Sequence, residues 1–206
     1  MLTFRTAKVN NCRFGWENVG RGFEMSIEKL RGMVLASLLA ALTAAGSYIQ
    51  IPIGPVPIVL TNLFVLLSGL LLGSRWGLAS VGVYLLVGAM GMPVFAGGKG
   101  GLAHFLGPTG GYLLGYGLSV WGVGLIAERS KGSVVLEIVA MILGVIGIYA
   151  VGVPWLKMVT GMSWPRSLMI GAIPFLVGDA LKASAALILA RAVRPILNRQ
   201  IQSLAL

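Results

Sequence analysis

The chain has 206 residues, of which 57% are hydrophobic and 11% charged, and its mean hydropathy is +0.90. Water-soluble domains carry about 25% charged residues, so this composition excludes a soluble globular domain and identifies an integral membrane protein. A net charge of +10 would suggest nucleic acid in a soluble protein, but here the basic residues follow membrane topology, and the single cysteine, Cys12, excludes a disulfide framework or cysteine-rich metal site.

Residues 1–32 are basic and hold no apolar run of signal-peptide length. They read as an extension without a transport role, compatible with an organelle transit peptide or with translation from Met25. A single membrane domain, 33–192, follows, and a basic tail, 193–206, closes the chain. Apolar spans are predicted at 33–51, 58–72, 77–92, 109–127, 134–151 and 174–192. Of the 16 Lys and Arg residues, twelve fall on the side of the termini, and Lys99, Lys157 and Arg166 fall on the other; Lys182 lies within a span. The positive-inside bias then gives the expected fold: all-α, six transmembrane helices, both termini cytoplasmic, multi-pass in a cell membrane rather than an organelle.

On the first span Ala36, Ala40 and Ala44 form a small-residue stripe, able to pack within the bundle or to accept a partner helix. The loop that follows, Ile51-Pro-Ile-Gly-Pro-Val-Pro57, is stiff because its prolines fix φ and remove donors. Gly69, Gly73 and Gly77 bring small residues between the second and third spans. The next loop, from Pro93 to Thr109, combines glycines with apolar residues and is expected to cap the bundle or re-enter it. Within it, Gly97-Gly-Lys-Gly-Gly101 lacks the hydroxyl residue after Lys99 and the upstream glycine of a phosphate loop, so no ATP site is encoded. Its glycines remain available for close backbone contact with a ligand. His104 is the only histidine, which excludes a histidine-rich metal site. Gly107, Gly111 and Gly115 are spaced for helix packing, and Tyr112 suits either a pocket wall, a hydroxyl donor or an interfacial anchor. Glu137 sits at the start of the fifth span, where a boundary position makes a charge inexpensive. The stretch 152–173, with Trp155, Trp164 and Pro165, reads as an interfacial turn of helix with its tryptophans at the outer lipid boundary. Together the three outward loops are expected to roof one cavity.

The last span carries the most informative pair. Asp179 and Lys182 lie in Phe175-Leu-Val-Gly-Asp-Ala-Leu-Lys182, three residues apart and so on one helical face. A charge at mid-membrane costs about 2.5–3.5 kcal/mol on insertion scales, so such residues pair, face a cavity or contact a substrate. An internal ion pair and a ligand contact both satisfy the spacing, and the cost favours the ligand contact. No convincing hydrolytic triad or metal cluster accompanies them, which argues against an intramembrane enzyme.

At these residues the chain resembles the BioY family, the biotin-specific substrate-binding S components of energy-coupling factor (ECF) transporters. Four ordered motifs carry the resemblance: Ile51 to Pro57, Pro93 to Gly101, Gly107-Pro-Thr-Gly-Gly-Tyr112, and Pro174 to Lys182. The family's Thr-Leu-Gln run after the proline turn is replaced by Val59-Leu60-Thr61-Asn62, which leaves Thr61 or Asn62 to supply polar contacts there. The resemblance implies six helices over a vitamin pocket, biotin as ligand, no cofactor and no enzymatic activity. It also implies partners, a transmembrane coupling protein and paired ATPases, while self-association is left open. Asp179 is then expected to accept from the ureido N–H groups, and Lys182 or backbone amides near Gly98, Gly100 and Gly101 to meet the carboxylate, with Tyr112 as an apolar wall. Ala36, Ala40 and Ala44 become the expected docking surface for the coupling protein. The competing reading is an autonomous ion-coupled carrier with Asp179 as the titrating group.

Overall fold

A computed structural model describes residues 16–51 and 55–204, with side chains described for 29–51 and 55–197. Cys12 lies outside the described residues. The elements are α1 (Trp16–Tyr48), β1 (Gln50–Ile51), β2 (Ile58–Val59), α2 (Thr61–Ala89), α3 (Ala103–Leu106), α4 (Gly110–Ser130), α5 (Val134–Thr160), α6 (Trp164–Gly171), a 3-10 turn (Ile173–Phe175) and α7 (Leu176–Leu204). Among the described residues, five helical segments are long and apolar enough to cross a membrane: Lys29–Tyr48, Thr61–Ala89, Gly110–Ser130, Val134–Thr160 and Trp164–Leu197. Their outward faces are rich in exposed Leu, Ile, Val and Met, as lipid contact requires.

Helix α2 contains two of the expected spans, folded against each other. Gly73 adopts φ 74° and ψ −169°, which breaks the helix at a backbone conformation that favours glycine. The arms then run back side by side: a Cβ built on Gly77 would lie 3.1 Å from the Ser68 carbonyl oxygen. Glu128 of α4 fixes the reversal by accepting from the Ser74 backbone N–H at 2.7 Å and from its hydroxyl at 2.8 Å. The small residues at 69, 73 and 77 thus let the two arms close on each other and on α4, where a Cβ on Gly69 or Gly77 would lie 3.0 Å from Val120 atoms.

Two buried clusters fill the bundle. One, near the Gly73 reversal, gathers Leu39, Leu63, Leu66, Leu70, Val123, Met141 and Ala186. The other, near the loops, gathers Tyr84, Phe95, Tyr112, Tyr116, Ile148, Leu156 and Phe175. Helix α4 packs closely on α5 because Gly111 and Gly115 present no side chain; a Cβ there would meet Trp155 Cβ at 2.2 Å and the Ile148 carbonyl oxygen at 2.9 Å. The packing role expected of those two glycines is what the structure shows.

Three expectations change. Helix α1 begins at Trp16, so the second half of the basic extension is helical and continuous with the first apolar segment. Helix α5 runs through Pro154 to Thr160, so residues 152–160, expected as loop, are helical and only α6 is the short helix before the last span. Trp155 does not stand free at the lipid boundary, since its indole N–H donates to the Gly107 carbonyl at 3.0 Å, whereas Trp164 is exposed beneath Lys157 at 5.0 Å.

Glu137 is a further correction, because it is fully buried and its charge must be paired rather than left at an inexpensive boundary. Arg191 Nε donates to it at 2.9 Å and Arg194 makes a second ion pair. These arginines also donate to the Gly132 and Leu70 carbonyls, at 3.0 and 2.8 Å. Arg31 of α1 donates to the Leu197 carbonyl of α7, which places the two terminal segments at this same end of the bundle. All the long loops lie at the opposite end.

Candidate functional site

At the loop end a cavity opens among α2, α4, α5 and α7. Val56, Pro57 and Val59 from the first loop, Ala96, His104 and Thr109 from the second, and Gly171 and Phe175 from the segment around α6 all line it. The expectation that three loops converge on one cavity therefore holds as geometry. Tyr84, Tyr112, Tyr116 and Tyr149 supply aromatic walls, with Tyr112 and Tyr149 edge to face at 6.3 Å between ring centroids. The hydroxyl of Tyr112 is already committed, donating to the Gly171 carbonyl at 2.7 Å, so this residue acts as wall rather than donor. Its ring fits because Gly152 and Gly171 leave room; a Cβ on either would come within 2.4 Å of Tyr112 atoms.

Asp179 is 1% exposed and is the polar centre of the site. Lys182 donates to its Oδ1 at 2.8 Å, Asn62 Nδ2 donates to its Oδ2 at 3.1 Å, and the Tyr149 hydroxyl donates to the same Oδ2. Three helices thus meet at one carboxylate, and Lys182 itself lines the cavity. A buried ion pair is tolerated only when remaining lone pairs are satisfied, which Asn62 and Tyr149 achieve. Two cavity-lining polar atoms are left over. Asn62 Oδ1 and Thr61 Oγ1 are buried and make no hydrogen bond among the described residues; the Tyr84 hydroxyl approaches Thr61 without acceptable hydrogen-bond geometry. Leaving such groups unpaired costs about 1–3 kcal/mol each, which a bound molecule or water would recover. The position where Thr61 and Asn62 replace the family's Thr-Leu-Gln run is accordingly part of the polar centre.

The glycine loop behaves differently from expectation. Its amides are engaged by the loop and by the end of α2: Gly98 N–H donates to the Phe95 carbonyl at 3.0 Å and Gly101 N–H to the Gly88 carbonyl of α2 at 2.7 Å. Gly100 lies against the backbone of Met92, where a Cβ would be 2.2 Å from the carbonyl oxygen. None of Gly98, Gly100 and Gly101 lines the cavity, so their glycines shape the loop rather than offer donors. What holds the loop down is Phe95, fully buried in a notch at Gly88 and packed against Tyr84, Phe105 and His104. Ser47 donates to the Val94 carbonyl at 2.6 Å and Tyr48 donates to that of Pro93, tying the loop to the end of α1.

His104 stacks on Phe95 at 5.1 Å and hydrogen-bonds with Thr109 Oγ1 at 3.1 Å. Burial, reinforced by the positive charge of Lys99, pushes its pKa below the ordinary histidine value. It lines the cavity, a role that its isolation in the sequence did not reveal. Tyr149 was missed as well. The signal available was a single aromatic hydroxyl in the otherwise apolar run 134–151.

On α1 the small residues divide between a buried and an outward face, and Ala40 and Ala44 line a groove with Ser37 and Ala41. Ala36 and Ala40 are 3% and 5% exposed and pack into the bundle, and Ala44 packs partly against the loop-end cluster. The small residues on the outward face of α1 are Ser37, Ala41 and Ala45. Among the described residues no group of His, Cys, Asp and Glu is arranged to hold a metal ion.

The pattern of the BioY family matches residues 19–199. A probable biotin transporter BioY of Pyrococcus horikoshii is 40% identical over 162 residues, covering 79% of this chain and 95% of that relative. The biotin transporter BioY of Thermotoga maritima is 39% identical over 161 residues, covering 78% and 94%. Among solved structures, the crystal structure of the S-component for biotin from an ECF-type ABC transporter aligns with a TM-score of 0.76 at 31% identity, covering 82% of this chain and 93% of that one.

Proposed function

This chain belongs to the BioY family, and on that basis we propose that it binds biotin in the tyrosine-walled cavity around Asp179 and mediates its uptake as the substrate-specific S component of an ECF-type transporter. The observation that carries this reading is the polar centre. Asn62 Oδ1 and Thr61 Oγ1 line the aromatic cavity as unpaired acceptor atoms, with the Asp179 carboxylate held behind them by Asn62, Tyr149 and Lys182, an arrangement that suits a ring edged with N–H donors. In biotin that edge is the ureido group. The chain spans the membrane six times, counting the two arms of α2, with both termini cytoplasmic and the cavity opening outward. That topology is supported by the charge bias along the sequence and by the two terminal segments meeting at one end.

The transmembrane coupling protein, partner of the ATPase subunits, docks, in this proposal, on the outward face of α1. The contact centres on the exposed line Ser37, Ala41 and Ala45, with Ala40 and Ala44 beside it in the groove they share with Ser37 and Ala41, while Ala36 is packed within the bundle. Equilibrium binding of labelled biotin to the purified protein, with thiamine and riboflavin as controls, tests the central claim. Saturable binding of biotin alone is the expected result, and its absence overturns the proposal. An Asp179→Asn variant separates it from the ion-coupled carrier: biotin binding should fall, whereas a proton-coupled carrier would keep binding and lose only pH-driven uptake.

A further inference from the structure

A second chamber adjoins the cavity on the loop side, lined by Gln50, Pro55, Pro57, Ala96, Gly97, Lys99, His104 and Thr109 among others, and Pro57, Ala96, His104 and Thr109 line both. Those four residues form a neck between an inner cavity and a vestibule. The chambers differ in charge. In the inner one the only cation, Lys182, is already paired with Asp179 at 2.8 Å. In the vestibule Lys99 has no carboxylate within ion-pair distance among the described residues. Its neighbour His104 is neutral near pH 7, since burial and Lys99 both lower its pKa, so the vestibule charge is that of Lys99.

We infer that the vestibule is an anion subsite, in which Lys99, with the side chains of Gln50 and His104 beside it, receives the carboxylate of the ligand while the ring occupies the inner cavity. The inference rests on the biotin reading above and assigns the two ends of the molecule. A carboxylate placed in the inner cavity would approach Asp179, a like charge whose lysine is already engaged. A carboxylate at the vestibule meets an unopposed ammonium and a side-chain amide, and a flexible alkyl tail spans the neck. The loop is built to hold Lys99 in place rather than leave it trailing. Phe95 accepts the Lys99 backbone N–H at 3.3 Å and donates to its carbonyl at 2.8 Å, and Phe95 is itself anchored in the Gly88 notch.

Binding of biotin and of its neutral amide to the purified full chain tests this assignment. Wild type should prefer the acid. Lys99→Gln should weaken acid binding about five- to tenfold, leave amide binding unchanged, and Lys99→Arg should restore the preference. Added salt should weaken acid binding to wild type more than to Lys99→Gln, a readout that does not depend on comparing folded fractions. Equal affinity of wild type for acid and amide overturns the inference, as does a preference that survives in Lys99→Gln but disappears in Lys182→Gln, which would place the carboxylate in the inner cavity. If wild type binds biotin normally while this preference test fails, only the anion subsite falls; if wild type binds neither compound, the biotin reading falls and the subsite with it.

Discussion

Asp179 gathers the physics of the site into one side chain. It is buried, charged and held by donors from α2, α5 and α7. Removing its charge leaves Lys182 at 11% side-chain exposure without a counter-ion, so Asp179→Ala should destabilise the fold by about 3–5 kcal/mol, read as a lower thermal midpoint in detergent. Tyr149→Phe keeps the wall and deletes one hydrogen bond to a charged group, a loss of about 1.5–3 kcal/mol on the same measurement. His104 gives the fold a pH dependence of definite sign. Its folded pKa lies below the unfolded value, so its contribution is present above about pH 6.5 and is lost as pH falls through the lowered folded value. Ligand-free protein should therefore lose thermal stability on acidification through that window, and His104→Gln should flatten the dependence. Asp179 and Lys182 were legible because a charge in an apolar run is expensive wherever it points. Tyr149 and His104 were not, because an aromatic residue belongs equally well in a wall, a core or an interface.

Helices and loops are positioned by where side chains are missing. Gly88 admits Phe95 so closely that a Cβ would sit 2.1 Å from the ring. Gly88→Ala should then displace Phe95 and loosen the loop 93–109 at a cost of about 1–3 kcal/mol. The thermal midpoint should drop, and proteolysis within that loop should accelerate relative to cleavage elsewhere. The glycines of the loop were visible as permissive backbone, but the sequence offered no way to know that the Gly98 and Gly101 amides are taken up by the Phe95 carbonyl and by that of Gly88 in α2. Apolar length located α4 well and the start of α7, but undershot the end of α7, whose last turns are basic and polar, and of α5, where Pro154 and Trp155 resemble a helix end in composition while the helix continues through them. Pro154 is tolerated mid-helix in a bundle where neighbouring groups re-satisfy the backbone.

Across the whole molecule, charge is segregated to two ends with an apolar interior between. The Asp179 centre serves the loop end, and Glu137 with Arg191 and Arg194 ties α5 to α7 at the other. Glu137→Gln should lower stability by about 3 kcal/mol, toward the low end for a buried pair because both arginines keep some solvent contact. Biotin affinity of the folded fraction should stay within about twofold, since distant sites act independently. Docking belongs to this scale too. A bulky substitution on the outward face of α1, Ala41→Trp, is expected to abolish uptake with the coupling subunits while leaving biotin binding intact; wild-type uptake by that variant would remove α1 as the docking face.

Composition and hydropathy by themselves determined that the chain is a helical membrane protein, roughly where its apolar segments fall, and that Asp179 with Lys182 is a charged pair set within an apolar span. Those properties follow from the cost of placing charge and unpaired backbone in lipid, which acts on each segment separately. Tertiary structure alone decided which atoms share a space. Small-residue spacing could not tell the buried face of α1 from its exposed one, and a one-residue change of register moves the outward line from Ala40 to Ala41. Nor could any single segment show that Asn62, Tyr149 and Asp179, separated by many residues, converge on one carboxylate, or that Lys99 and Lys182 face different chambers. Those relations depend on how helices cross and how the loops close over them, which is fixed by packing between elements and not by the preference of any one.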